Sequence, residues 1–117
     1  MAKYLLLIHE NETEWDAGSE AEHEAHFAIH MAFQRKNKDA IIDTKALDAT
    51  TKAKYLRKAD REGWTVTDGV FGETKEAIGG YYLVEAADLD AATALAGELP
   101  GFGDDAVIEV RTVFAGQ

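Results

Sequence analysis

Apolar residues recur along the chain with two periods, and the periods predict its elements. "KYLLLIHE" at 3–10 is apolar at nearly every position and predicts a strand. A gap of turn and acidic residues follows. "SEAE" at 19–22 then has the form of a capping box, Ser19 as N-cap and Glu22 three residues on. Behind it Ala25, Ala28, Ile29, Ala32 and Phe33 recur at helical spacing, predicting an amphipathic helix to about Asn37 with that stripe toward the core. "AIIDTKAL" at 40–47 predicts the next strand. "AKYLRKADREGWTVTDG" reads as a hairpin, with strands near 53–59 and 63–67 around "DREG". A charged loop at 68–79 leads into the strand "GGYYLVEA". A second helix starts at Asp88, carries Leu89, Ala92, Leu95, Ala96 and Leu99 on one face, and stops at Pro100-Gly101. "AVIEVRTVF" at 106–114 closes the chain, Ile108, Val110 and Phe114 alternating with Glu109 and Arg111.

Two strand–helix–strand units with a hairpin between them predict an α+β sandwich of the ferredoxin-like class, one domain over residues 1–117. Helices in such a sandwich cover one face of the sheet. Yet 4–8 and 81–84 are apolar on both faces, Leu5 and Leu7 as well as Tyr4, Leu6 and Ile8. The second face needs cover, which predicts a homodimer with sheets facing each other. The alternative is that the segments 10–19 and 68–79 fold over it.

Charge narrows the partners. The net charge is −10, and no basic cluster opposes it except "QRKNK" at 34–38, so nucleic acid is not an expected partner. No apolar run approaches twenty residues, so no membrane span is expected. The N-terminal stretch has one basic residue and a short apolar core, which predicts a cytoplasmic location. The absence of cysteine rules out disulfides, thiolate nucleophiles and cysteine-ligated metal.

"DGVFGETKE" at 68–76, followed by "GGYYLVEA", resembles the signature of the YCII-related family, in the subgroup known as DGPF-domain proteins. That pattern runs Asp-Gly-Pro-Phe-Ala-Glu-Thr-Lys-Glu, then Gly-Gly, aromatics and apolar residues. "KYLLLIHEN", "DLDAATALAGELPG" and "AVIEVRTVF" resemble the family's first strand, second helix and last strand. Val70 stands where the family usually has proline and Gly72 where alanine is usual; the lost proline frees φ in the turn. The resemblance implies a ferredoxin-like fold of the dimeric α/β barrel type with a cleft at the sheet. It implies no settled reaction. Members often lie beside genes for sigma factors of the extracytoplasmic-function class. A related branch includes a dehydrochlorinase-type enzyme, for which a His–Asp pair has been suggested as the catalytic centre.

The candidate chemistry centres on histidine. His9, His23, His26 and His30 all lie in the first thirty residues, and the last three share one helix face beside the apolar stripe. A histidine next to a carboxylate is a natural general acid/base, and a nearby acidic group raises its pKa toward neutrality. His26 and His30 with Asp68, which ends a strand and leads the motif loop, are the candidate catalytic residues. His9, Glu73, Lys75 and Tyr82 are candidate contacts to a small polar organic ligand, Lys75 by pairing a carboxylate or phosphate. Ordinary surface histidines and a turn-forming Asp68 are the alternative. His26 and His30 at i, i+4 could also share a metal ion, with Glu22, His23 or His9 as a third ligand, but that spacing alone is weak and no metal is expected. Gly79 and Gly80 suit a bulge or a close backbone approach rather than phosphate binding. There is no Gly-rich nucleotide loop, and no cofactor is expected. A proton-transfer enzyme, a ligand-binding module tied to a sigma-factor circuit, and a structural dimer all remain open at this point.

Overall fold

The computed structural model describes residues 1–60, 63–68 and 76–117, Glu76 by its backbone alone. The expectations placed on Glu73 and Lys75 lie outside the described residues. β1 (Ala2–Asn11), β2 (Ile41–Ala46), β5 (Glu76–Ala86) and β6 (Val107–Thr112) form one sheet in the order β2-β5-β1-β6, and every neighbouring pair is antiparallel. The helix α2 (Glu20–Lys36) carries the chain from β1 past β5 to β2. The helix α3 (Leu89–Ala96) carries it from β5 past β1 to β6. This α+β arrangement is compatible with a ferredoxin-like fold. The strands β3 (Lys54–Lys58) and β4 (Trp64–Asp68) form a separate two-stranded hairpin.

The core follows the period of the strands. Tyr4, Leu6 and Ile8 point to one face of β1, next to Tyr82 and Val84 of β5, and Phe33, Ala92 and Ala96 of the helices close over them. Leu6 and Val84 are fully buried, each contributing roughly 1.5–3 kcal/mol of hydrophobic stabilisation. Leu5, Leu7 and Leu83 face the other side of the sheet and are half-buried.

Several boundaries differ from the sequence expectation for local reasons. A short helix, α1 (Glu12–Ala17), occupies the acidic gap after β1. Asn11 starts it by accepting hydrogen bonds from the backbone N–H groups of Thr13 and Glu14 at 2.9 and 3.2 Å. Six residues are too few for a hydrophobic period to show. β5 begins at Glu76 rather than Gly79, so the end of the motif is strand, and Asn11 pairs with Glu76. The register slips by one between Ile8 and His9, leaving Gly79 as the extra residue of a bulge, and a Cβ on Gly80 would lie 3.0 Å from the Lys45 carbonyl. α3 tightens after Ala96 into i→i+3 bonds at Glu98 and Leu99, because Pro100 disfavours helical geometry at the preceding residue. Phe114 lies beyond β6 and is 83% exposed.

The largest correction concerns α2. Its capping box is present as expected, with both Ser19–Glu22 bonds made. The stripe of Ala25, Ala28, Ile29 and Ala32, however, is exposed. The helix instead turns His26 and Phe33 inward, with His23 and His30 half-buried on the same side. Small alanines lose little by facing water, whereas the larger aromatic rings bury more apolar area per residue.

Candidate functional site

Glu10 continues the inward row of Tyr4, Leu6 and Ile8 to the end of β1, and there the row leaves the core for a cavity of about 400 Å³. The cavity lies between α1, the face of α2 from His26 to Gln34, and the adjoining ends of β2 and β5. Trp15 and Phe27 form apolar wall on the helix side, and Ala77 and Ile78 on the strand side. Glu10, His26, His30, Gln34 and Tyr82 are among its polar groups.

Each polar group is held by neighbours. The His26 Nε2 stands 3.5 Å from Glu10 Oε1, both largely buried. His26 sits edge-on to Trp15 and Phe102, with ring centroids 5.4 and 5.5 Å away. One turn on, the His30 ring meets His26 at 4.7 Å, and its Nδ1 lies 2.8 Å from the Tyr82 hydroxyl. Gln34 Nε2 donates to that same hydroxyl oxygen at 3.0 Å. Tyr82 is 2% exposed and packs its ring against Phe33. His23 donates from Nε2 to the Trp15 carbonyl at 2.7 Å and stacks on the indole at 3.9 Å, fastening α1 to α2. Glu12 closes the other end, accepting from the Thr50 amide and hydroxyl.

Burial decides the electrostatics. Desolvation raises the Glu10 carboxyl above its ordinary pKa. Desolvation, with a smaller push from His23, lowers His26. The same two effects, the second from His26, bring His30 down to about 4. The expectation that an acidic neighbour raises a site histidine is therefore reversed here: at 3.5 Å Glu10 does not outweigh the loss of water around His26. Near pH 7 the imidazoles of the cavity are neutral and the carboxylate is a stronger base than usual.

Of the expected site residues, His26, His30 and Tyr82 come together. Asp68 does not join them. It lies in the hairpin, accepts from Lys54 Nζ at 2.7 Å, is 79% exposed and is absent from the cavity wall. Its register partner across the hairpin is Lys54, which explains the pairing. His9 follows the strand alternation to the opposite face of the sheet, where its Nε2 meets Glu109 Oε1 at 2.9 Å. Among the described residues no three His, Asp or Glu side chains converge to hold a metal ion. Glu10, Trp15 and Gln34 were not anticipated. Glu10 was readable from the period-2 row of β1, and Gln34 from its place one turn after His30; nothing in the local sequence marks Trp15.

A small α+β domain with a histidine-lined cavity beside its sheet is a recognisable class, and comparison with known proteins gives it a family. The profile of the YCII-related domain matches residues 2–115, and the chain belongs to that family. It is similar to an uncharacterized protein of Rhizobium meliloti (strain 1021), 37% identical over 98 residues, which is 82% of this chain and 78% of the relative. Among the described residues no helix is long and apolar enough to cross a membrane.

Proposed function

We propose that the protein is a small enzyme that moves a proton on a small polar organic molecule held in the cavity. Glu10 and His26 form the acid–base pair, and His30 contacts the ligand. The supporting observation is the shared desolvation of Glu10, His26 and His30 on the wall of one cavity. Glu10 takes the part that sequence reasoning gave to Asp68. The test is isotope exchange in D₂O, followed by proton NMR, on a panel of small oxo, hydroxy and amino acids and their neutral amides. Wild-type protein should exchange a C–H proton of at least one compound, and Glu10→Gln should slow this by about a hundredfold or more. Compounds that shift the Trp15 indole signal without any exchange would replace this reading with that of a non-catalytic ligand-binding module, of the kind tied to an extracytoplasmic-function sigma factor.

We further propose that the chain acts in the cytoplasm as a homodimer. Leu5, Leu7 and Leu83 leave an apolar face on the sheet, and α1, in the segment 10–19, packs through Trp15 on the α2 side instead. The hairpin adds Leu56, Val66 and Trp64 on one side, each more than half exposed. Sedimentation equilibrium at micromolar concentration should give twice the 12.8 kDa chain mass; a species at 12.8 kDa alone would overturn the dimer.

A further inference from the structure

The hydrogen bonds around Tyr82 fix more than its position. Gln34 Nε2 can only donate, so at 3.0 Å it occupies a lone pair of the phenol oxygen. The phenol proton must then point elsewhere, and His30 Nδ1 lies 2.8 Å away. A neutral imidazole accepts that proton's hydrogen bond through the Nδ1 lone pair and carries its own proton on Nε2. Burial keeps the ring neutral near pH 7. Stacking on Tyr82, with 10° between planes, and the edge contact with His26 hold its orientation. No described residue makes a hydrogen bond to Nε2, and the ring borders the cavity.

We propose that Gln34 and Tyr82 are positioning residues that hold His30 as an Nε2–H donor to the cavity, and that the ligand is an uncharged, enolisable carbonyl compound whose oxygen His30 receives. This rests on the proton-transfer reading above and names its substrate class. The cavity wall carries both a donor, His30, and a base, Glu10, each next to His26. Its rim carries Glu12, Asp16 and Asp48 against a single described lysine, Lys45, which disfavours anions. Trp15, Phe27, Ile8 and Ile78 suit the carbon skeleton. The step balances without a co-reactant. The Glu10 carboxylate removes a proton from the carbon beside the carbonyl, the C–H pair becomes the C=C bond, and the carbonyl π pair moves to oxygen. His30 Nε2–H stabilises that oxygen, and Glu10 returns the proton to carbon or oxygen. A neutral imidazole serves better here than imidazolium, because it donates a hydrogen bond without surrendering its proton to the enolate.

Long-range proton–nitrogen NMR on the full chain at pH 7 tests the assignment. The expected result is a protonated Nε2 and a hydrogen-bonded, unprotonated Nδ1 at His30. Tyr82→Phe, and separately Gln34→Leu should the first variant not fold, should move the Nδ1 resonance toward that of free imidazole. Acetylacetone, an uncharged enolisable probe, should shift the His30 Nε2 and Trp15 indole signals, with affinity lowered roughly fivefold to tenfold in either variant. A proton on Nδ1 in the wild type would overturn the proposal, as would a His30 signal that acetate moves and acetylacetone does not. Both results leave the exchange test of Glu10 standing. An Nε2–H tautomer with no exchange on any compound would sink the proton-transfer step and support the carbonyl site alone.

Discussion

His9 and Glu10 are neighbours on β1, and each is half of a histidine–glutamate pair, but the pairs lie on opposite faces of the sheet. On the open face His9 meets Glu109 at 2.9 Å, with side chains 23% and 36% exposed. On the helix face Glu10 meets His26 at 3.5 Å, with side chains 14% and 7% exposed. The shorter contact is the less consequential one. Within one chain the open-face pair keeps more of its contact with water, so its hydrogen bond is of small worth. The longer contact sits where water is scarce, and it is the desolvation, rather than the contact, that shifts both groups. A site is therefore better recognised by what its groups have lost than by how closely they touch.

The sharpest way to break this comparison is pH. His30 binds a proton at about 4 in the folded chain and at about 6.5 when unfolded. Between those values the unfolded state holds the extra proton, so stability falls as pH drops from 6.5 toward 4. Allowing for the ring's partial exposure, the loss from His30 between pH 7 and 5 is roughly 1–2 kcal/mol. His26 adds in the same direction, and Glu10, whose pKa is raised, opposes it at the acid end. Urea unfolding should show this slope, and His30→Gln should flatten it; an equal slope in the variant would refute the desolvated state of His30.

A smaller effect separates the two glutamates. Because the folded pKa of Glu10 is raised, its charge costs stability above that pKa. Glu10→Gln should therefore leave the chain equally or more stable at pH 7, by up to about 1 kcal/mol, and the gain should vanish near pH 4. A marked loss at pH 7 would mean that the carboxylate is stabilised by His26 after all. The smallest effect belongs to the open face. Glu109→Gln, which also removes the 3.4 Å contact to Arg111, should cost at most about 0.5 kcal/mol, and 1 M salt should erase the difference.

The architecture was legible wherever a period ran long enough. The four sheet strands, both long helices and the hairpin follow from alternation and caps, and the bulge at Gly79 was foreseeable from a glycine inside a strand. The inward face of α2 was misread because the alanine stripe and the histidine face compete, and counting apolar letters ranks histidine with the polar residues. Neutral His26 and His30 pack as aromatic rings once Trp15 and Tyr82 surround them. The site was half legible for the same reason. Of the expected residues His26, His30 and Tyr82 line the cavity and Asp68 lies in the hairpin, while Glu10, at the end of the first strand, is the carboxylate beside His26. The period of β1 points Glu10 inward, but which helix side chain it meets is set by packing across the chain, which local sequence does not record.

The sheet order also sets a timetable. Among the described residues β1 lies between β5 and β6 and makes its ladder with no other strand. β1 is synthesised before either of its partner strands, and the earlier of these, β5, begins only at Glu76, 65 residues after β1 ends at Asn11. At typical elongation rates that gap is about 3 to 13 s, far longer than hydrophobic collapse takes. The nascent chain must therefore hold "YLLLI" without its sheet partners, on the ribosome or under a chaperone, until β5 has been made.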